Sequence, residues 1–305
     1  MIPREEKPLL SILVPAYRYG EGVRRILMCL DSIPIKDCEL IVFDDSPDDE
    51  VEQIVAHWRL ATSMHVTYQR NHPARGAVAN WNALLDAARG EFCLLLHHDE
   101  FPLGDYFVKD LINALRQAAD VDVVLLDCVL VDPKSQRNRR HLPTWLRALV
   151  VKHFPDYLFR RNVIGPTSTL LVRRKLYPRF DVSLRWLVDV DFYVRVLSVA
   201  KRLRMCPKIQ IGSILGCSDS ITARLGSSIP QLELAEREYL LRLNPAVGLW
   251  LGAGVQEPAS YVLLRACETV CWSFFRVLTY LAARLGRAPV SRAVVQRSLH
   301  PAPRP

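Results

Sequence analysis

Residues 92–100 read FCLLLHHDE, an apolar run that changes abruptly into two histidines followed by two acids. The apolar part, Phe92–Leu96, predicts a strand buried on both faces, because such strands read as near-continuous hydrophobic runs. The four polar residues then follow the carboxyl end of this strand. In open α/β sheets, ligands bind outside the carboxyl ends of the strands. The stretch therefore predicts both a strand of the sheet and the edge at which a binding site lies.

Short apolar runs alternate with helical patterns on both sides of this stretch. Further strands are predicted over Leu10–Val14, Leu40–Phe43, His65–Gln69, Val123–Val131 and Thr169–Val172. Helices are predicted over Gly22–Ile33, Val51–Leu60, Ala77–Ala88, Tyr106–Ala119 and Trp186–Ala200. This alternation is typical of an α/β fold in which a mostly parallel sheet is flanked by helices. No Gly-x-Gly-x-x-Gly follows the first strand, which argues against a dinucleotide-dependent oxidoreductase.

The pattern divides the chain into three regions. Residues 8–225 are predicted to form the main α/β domain, and residues 230–287 a helical extension. Residues 288–305 are rich in proline and arginine, so we expect a disordered tail. Within the main domain, the basic stretch from Asp132 to about Arg161 is interpreted as irregular.

Composition narrows the class of partner. The chain has 305 residues, of which 50% are hydrophobic and 24% charged, as expected for a folded protein with a sizeable core. Its net charge of +8 favours an anionic partner, which leaves nucleic acid, an acidic membrane surface and a phosphorylated substrate. The basic cluster Arg137–His141 has no interleaved aromatic residues and fits no recognition motif. A phosphate-bearing acceptor or a solvated loop explains the cluster as well, so no nucleic-acid partner is expected, and a basic nucleic-acid-binding protein is kept as an alternative hypothesis.

The cysteines and the apolar segments indicate a cytoplasmic protein. None of the eight cysteines forms a Cys-x-x-Cys pair, and Cys267 and Cys271 lack partners of zinc-site spacing. We interpret the cysteines as reduced thiols. The first ten residues do not resemble a secretory signal, and no stretch of 18 uncharged apolar residues exists.

Acidic and other polar residues follow three of the predicted strands. Leu10–Val14 leads into Pro15-Ala16-Tyr17, Leu40–Phe43 into Asp44-Asp45-Ser46, and Phe92–Leu96 into the histidines and acids quoted above. These residues are expected to gather on one rim of the sheet. Clustered carboxylates repel one another unless a cation or hydrogen-bond donors share the site. The alternative is that each of these acids is only a helix cap or a turn residue.

The last of these segments has the composition of a metal site. Asp99 is a natural oxygen ligand for Mg²⁺ or Mn²⁺. His97 lies two residues before it and shares its side of the chain if the strand continues. An imidazole ligand would favour Mn²⁺. His98 is expected to point the other way.

Several segments together resemble a known family. Ser11–Tyr17 is similar to the family's first strand and nucleotide loop, and Val42–Ser46 to a second strand whose acids contact the nucleoside. His97–Glu100 occupies the place of an Asp-x-Asp metal motif. Other matching segments are Ala79–Asn82 with Arg89–Phe92, Gly165–Ser168 with Phe180-Asp181, and Trp186–Phe192. In this order, from Pro8 to Thr222, they resemble the family 2 glycosyltransferases, which have the Rossmann-like GT-A fold.

The resemblance implies an inverting, metal-assisted transfer from a nucleoside-diphosphate sugar of the UDP, GDP or dTDP type. The acceptor would be a saccharide or a lipid-linked molecule in polysaccharide, lipopolysaccharide or glycolipid assembly. Asp189 matches the catalytic base and Asp191 the acid after it, while His97 and Asp99 would hold Mn²⁺ or Mg²⁺. The residues expected to bind the nucleotide sugar are Pro15, Ala16, Tyr17, Asp44, Asp45, Arg75, Asn82 and His98.

Two positions depart from the family pattern. His97 replaces the first Asp of the metal motif, and Val188 replaces the Glu that often precedes the base. A catalytically inactive member that acts as a scaffold is therefore an alternative hypothesis.

The helical extension carries a basic face. Arg265, Arg276 and Arg287 are spaced by 11 residues, so they share one side of a helix over 261–287. Such a helix can lie on an anionic membrane, which would make the protein peripheral on the cytoplasmic face. The alternative is that its apolar side packs on the catalytic domain.

Overall fold

A sheet of nine strands organises the part of the chain that the computed structural model describes, namely residues 7–30, 37–62, 64–118, 120–134, 137–140, 144–244, 266, 270 and 292–300. The strands are β1 (Leu10–Ala16), β2 (Cys38–Asp44), β3 (His65–Arg70), β4 (Phe92–Leu95), β5 (Glu100–Leu103), β6 (Val123–Asp132), β7 (Arg137–Arg140), β8 (Leu170–Arg173) and β9 (Leu203–Ile214). Their order is β3-β2-β1-β4-β8-β6-β9-β5, with β7 paired to β6.

The first half of the sheet is parallel throughout. β1 pairs in parallel with β2 and with β4, so that Leu13 lies opposite both Ile41 and Leu95. In the second half β6 and β9 are parallel, and antiparallel pairs join β8 to β4 and β6, β9 to β5 and β7 to β6. The predicted α/β fold is confirmed. Because the parallel strands are in register, their carboxyl ends meet at one edge.

Helices flank both faces of this sheet. They are α1 (Gly20–Cys29), α2 (Glu50–Ala61), α3 (Ala77–Ala87), α4 (Phe107–Arg116), α5 (Thr144–His153), α6 (Val188–Val199), α7 (Ile221–Leu225), α8 (Ile229–Leu243) and α9 (Arg292–Leu299). Successive residues of a strand point to opposite faces. Leu13 therefore packs in the cluster that includes α3 and α6, whereas Ile12 and Val14 pack in the cluster with α1, α2 and α4.

The stretch from Asp132 to Arg161 is more regular than its composition predicted. It contains β7 and helix α5. Arg147 of α5 is fully buried, where its guanidinium contacts the Asp127 carboxylate at 3.2 Å and donates to the carbonyl oxygen of Ile164 at 2.8 Å. A buried ion pair of this kind lets a basic segment fold against the sheet, and composition alone does not reveal the partner.

The expectation of a disordered tail is wrong for residues 292–299, which form α9. Val295 and Leu299 are buried against Phe101 of β5. Arg25 of α1 donates from Nε to the carbonyl oxygen of Leu299 at 3.1 Å. A few apolar residues and a capped carbonyl thus order a segment whose overall composition favours disorder.

Other expectations concern the thiols, membrane spans and domain boundaries. No disulfide joins the described cysteines, and burial raises the pKa of the Cys93 and Cys128 thiols to about 12. Within the described residues, no helix is both long and apolar enough to cross a membrane. The predicted helix over 261–287 falls almost entirely outside the described residues. The boundaries at 225, 230 and 287 stay predictions.

Helix α1 approaches the metal motif closely at Gly22. A Cβ added there would overlap the carbonyl oxygen of His98 and the ring of Tyr19. We predict that Gly22→Ala lowers the free energy of unfolding by about 1–3 kcal/mol, because backbone must move to admit the methyl group. Urea denaturation tests this prediction. Glu21→Ala, at an exposed position of the same turn, is the control, and equal stability of the two variants would contradict the packing described.

Candidate functional site

A cleft of about 930 Å³ lies at the carboxyl ends of the parallel strands. Both halves of the chain line it. The first half contributes Pro15, Ala16, Tyr17, Asp45, Arg75, Asn80, Trp81, His97, His98, Asp99 and Glu100. The second half contributes, among others, Asn162, Thr167, Arg185, Trp186, Asp189, Arg224, Glu233 and Arg237. Nine of the twelve predicted site residues are therefore brought to one cavity, as the strand-end argument requires.

The candidate metal motif, His97–Glu100, lies between the end of β4 and the first residue of β5. One ligand atom from each of His97, Asp99 and Glu100 lies within 4.8 Å of the others. Glu100, which the sequence argument did not include among the ligands, accepts a hydrogen bond from the backbone nitrogen of His97 at 3.0 Å. The Nε2 atom of His97 is buried and has no hydrogen-bond partner among the described residues. An imidazole with two carboxylates and an unsatisfied buried nitrogen fits a divalent cation.

Charges within this motif shift the titration of its members. Burial alone would lower the pKa of His97, but the carboxylates of Glu100, Asp99 and Asp189 raise it above its ordinary value. Burial and the neighbouring Glu100 charge raise the pKa of Asp99 to about 6. Without a metal ion, protons on His97 and Asp99 therefore partly neutralise the negative charge of the clustered carboxylates.

His98 has a different environment from His97. Its ring lies edge-on to Tyr19 at a centroid distance of 5.6 Å, and its buried Nδ1 has no partner among the described residues. Burial and the nearby His97 charge lower the pKa of His98 to about 4. His98 is therefore a neutral imidazole at the edge of the cleft.

Asp45 holds the loop that leads into α3. Its Oδ1 accepts hydrogen bonds from Asn71 Nδ2 at 2.8 Å and from the backbone nitrogen of Arg75 at 3.1 Å, and its Oδ2 accepts one from the nitrogen of Gly76 at 2.9 Å. Arg75 also donates from Nε to Asn71 Oδ1 at 2.9 Å. Asp45 therefore positions Arg75 beside the cleft as well as lining the cleft itself.

Three predicted site residues lie away from the cleft and are engaged elsewhere. Asp44 is fully buried and accepts hydrogen bonds from the Tyr68 hydroxyl at 2.9 Å and the Ser46 nitrogen at 2.8 Å. Asn82 donates to the carbonyl oxygen of Phe180 at 2.9 Å and accepts from its nitrogen at 2.8 Å.

The third is Asp191, which accepts a hydrogen bond from Arg195 Nε at 2.9 Å. Through these contacts Asp44, Asn82 and Asp191 stabilise the fold around the cleft. Their expected roles toward a ligand stay predictions.

Asp189 lies in the first turn of α6, at the floor of the cleft. Its Oδ1 accepts a hydrogen bond from the nitrogen of Val190 at 2.8 Å, and its Oδ2 accepts one from Asn162 Nδ2 at 2.8 Å. Burial raises the pKa of Asp189 to about 6, although these hydrogen bonds and the charge of His97 act in the opposite direction. At neutral pH its carboxylate is ionised and can accept a proton.

Several cleft residues were missed by the sequence argument. Arg224 places its guanidinium carbon 4.8 Å from the centroid of the Tyr17 ring, and its charge acts on both His98 and Asp99. Asn162 orients Asp189 from a loop directly after the stretch interpreted as irregular. Glu100 was visible in the quoted stretch, whereas Arg224 and Asn162 follow no strand and carry no local signal.

The sequence profile of the family described as Glycosyl transferase family 2 matches residues 11–179. The abequosyltransferase RfbV of Salmonella typhimurium is 25% identical over 199 residues, which cover 59% of this chain and 57% of RfbV. The chain spans 62%, 68% and 57% of the lengths of the first three curated relatives that it matches.

Two solved structures share the fold. Residues 1–349 of S. aureus TarS, in complex with UDP-GlcNAc, superpose with a TM-score of 0.58 at 18% identity, covering 81% of this chain and 68% of that one. The mannosyltransferase PcManGT from Pyrobaculum calidifontis, in complex with GDP-Man and Mn²⁺, gives a TM-score of 0.53 at 17% identity. That match covers 97% of this chain and 88% of PcManGT.

The environments of the two adjacent histidines predict opposite titrations. In metal-free protein, NMR of the imidazole groups should give a midpoint above the ordinary value of about 6.5 for His97 and a midpoint near 4 for His98. His97→Gln and His98→Gln assign the signals. Two midpoints close to 6.5 would contradict the burial and charge arrangement of the motif.

Proposed function

Because this chain belongs to glycosyltransferase family 2, we propose that it moves a sugar from a nucleoside-diphosphate sugar to an acceptor hydroxyl with inversion. The observation that carries the proposal is a single cleft lined by a candidate base, a candidate metal motif and the strand-end residues of the parallel sheet. The acceptor is proposed to be a saccharide or a lipid-linked molecule.

Asp189 is the proposed general base. The acceptor oxygen forms a bond to the anomeric carbon while the bond from that carbon to the diphosphate oxygen breaks, and the hydroxyl proton passes to the Asp189 carboxylate. The hydrogen bonds from Val190 and Asn162 leave the carboxylate oriented from the start of α6. Attack from the side opposite the leaving group gives inversion.

His97, Asp99 and Glu100 are the residues that would hold a divalent cation, Mn²⁺ or Mg²⁺. When bound, such a cation supplies positive charge that stabilises the leaving diphosphate. The structural neighbour PcManGT, which was solved with Mn²⁺, supports the choice of metal class. Arg224 faces the same part of the cleft and adds a fixed positive charge for the leaving group.

The nucleoside is proposed to lie against Pro15, Ala16 and Tyr17, with Asp45 and Arg75 at its edge. UDP-GlcNAc and GDP-Man in the neighbouring structures support a nucleotide-sugar donor and leave the choice among UDP, GDP and dTDP to a binding screen. RfbV, named an abequosyltransferase, supports sugar transfer by this chain, and the place that we propose for it is polysaccharide, lipopolysaccharide or glycolipid assembly. The proposed location is the cytoplasm or the cytoplasmic face of a membrane.

Replacement of the base separates catalysis from stability. Asp189→Asn should lower the turnover of a sugar nucleotide in the presence of Mn²⁺ by about 10²- to 10⁴-fold. The same variant should change Tm at pH 7.5 only slightly, because removal of a buried charge offsets the amide donor that it turns toward Val190 or Asn162. Asp110→Asn, at an exposed position of α4, is the control. Full activity of Asp189→Asn would remove Asp189 from the base role.

The raised pKa of Asp189 also sets a pH dependence. A base is active only when deprotonated, so kcat of the wild type should fall as the pH drops through about 6. A rate profile between pH 4.5 and 8 in saturating donor and Mn²⁺ measures this. A kcat that stays level down to pH 4.5 would contradict the assignment.

The metal motif predicts a cation affinity that depends on protonation. Asp99→Asn should weaken Mn²⁺ binding by about tenfold or more, as measured by electron paramagnetic resonance of the free ion. The affinity of the wild type should rise from pH 5 to pH 7.5, because His97 and Asp99 must lose their protons to coordinate. Equal Mn²⁺ affinity in Asp99→Asn and Asp110→Asn would exclude the motif as the metal site.

A further inference from the structure

Helix α8 reaches the cleft from beyond the residues that the family profile matches. Glu233 and Arg237 of α8 line the cleft on the side that also contains Trp186 and Asp189. Between them in sequence, Glu236 points elsewhere and is only 4% exposed. Its surroundings explain why a carboxylate is buried there.

The Glu236 carboxylate accepts hydrogen bonds from three consecutive backbone nitrogens. Oε1 accepts from Arg185 at 2.6 Å and from Trp186 at 3.2 Å, and Oε2 accepts from Trp186 at 3.1 Å and from Leu187 at 2.7 Å. These are the last residues before α6 begins at Val188. Both oxygens are thus occupied by the main chain of a segment that forms part of the cleft wall.

Of these three nitrogens, that of Leu187 lies at the start of α6, as its cap residue, whereas those of Arg185 and Trp186 precede the helix. The first backbone nitrogens of a helix have no partner within it, and Leu187 at the cap position has no side-chain oxygen to offer. Hydrogen bonds from backbone nitrogens to a carboxylate are stronger than those to a neutral acceptor. The helix dipole adds a favourable interaction with negative charge at this end.

We infer that Glu236 is a positioning residue that fixes the segment Arg185–Leu187, and through it the placement of Asp189 and Trp186 at the acceptor side of the cleft. The kinetic part of this inference rests on the proposed function. Glu236 is absent from the cleft lining, and its oxygens are engaged, so it acts through the backbone and not on substrate. A misplacement of the base by about 1 Å is enough to lower a rate by roughly 10²-fold.

Contacts other than Glu236 hold α8 in place. The Tyr239 hydroxyl donates to Asp181 Oδ2 at 2.8 Å, and Leu240 is buried in the main core cluster. Arg237 donates from its guanidinium to the carbonyl oxygen of Phe159. We therefore expect a change at Glu236 to loosen the Arg185–Leu187 segment without detaching the helix.

The test compares Glu236→Gln with Glu238→Gln, an exposed position on the same helix. The amide of Gln would turn a donor toward nitrogens that are themselves donors. Amide hydrogen exchange of the peptide covering 183–190 should become at least about tenfold faster in Glu236→Gln, while peptides from the strands keep their wild-type rates. Glu238→Gln should match the wild type throughout.

The kinetic readout uses the sugar nucleotide that the wild type hydrolyses fastest among UDP-GlcNAc, UDP-glucose, GDP-Man and dTDP-glucose, with Mn²⁺. Glu236→Gln should lower kcat by about 10- to 100-fold and leave the donor KM within about twofold. Unchanged exchange, or faster exchange with unchanged kcat, would overturn the inference. Loss of protection throughout the protein, with KM and kcat both altered, would overturn it in favour of a purely structural role.

The two proposals fail in different ways. Absence of turnover by the wild type with every donor would overturn the proposed function and the kinetic part of the inference with it. The exchange comparison would still decide whether Glu236 holds the segment. If Glu236→Gln does not fold, the wild type decides this point, because exchange of the 185–187 amides as fast as in an unprotected peptide excludes the hydrogen bonds.

Discussion

The parallel register of β1 with β2 and β4 is the constraint on which the site depends. Leu13 pairs across to Ile41 on one side and Leu95 on the other, so the three strands run in the same direction toward one edge, where β1 and β2 end at Ala16 and Asp44 and β4 ends at Leu95. The residues that follow these strands are therefore brought together at that edge of the sheet. Tyr17, Asp45 and the turn from His97 to Glu100 therefore line one cleft, although more than fifty residues separate the second of these from the third. The repulsion among the acids is the cost of this arrangement, and a cation with its diphosphate would relieve it.

The second half of the chain completes the cleft by long-range contacts. Asn162 orients Asp189, and Arg147 holds the loop around Ile164 from the buried side. Helix α8 adds the carboxylate of Glu236 at the start of α6. The proposed base is thus held by side chains from three separate parts of the sequence. The residues proposed to bind the nucleotide sugar, in contrast, follow the carboxyl ends of the parallel strands.

This difference explains how much the sequence could reveal. Apolar runs and strand ends are local patterns, so the first half of the sheet and the residues at its rim were predictable from them. Glu236 and Arg224 were not, because each lies in an unremarkable helical segment and gains its role from a partner distant in sequence. The same holds for α9, whose few apolar residues find a surface on β5 that composition cannot show. Asp44, Asn82 and Asp191 sit within matching segments, yet their side chains hold the fold together instead of facing the cleft.

The most direct test of the account is a crystal structure of the protein soaked with Mn²⁺ and either uridine or guanosine diphosphate. The account predicts an anomalous manganese peak in contact with Asp99 and its neighbours in the motif. It further predicts diphosphate oxygens on the metal, the nucleoside against Tyr17 and Asp45, and an unobstructed path from the diphosphate to Asp189. A nucleotide bound outside this cleft, or manganese bound away from the turn between β4 and β5, would contradict the account.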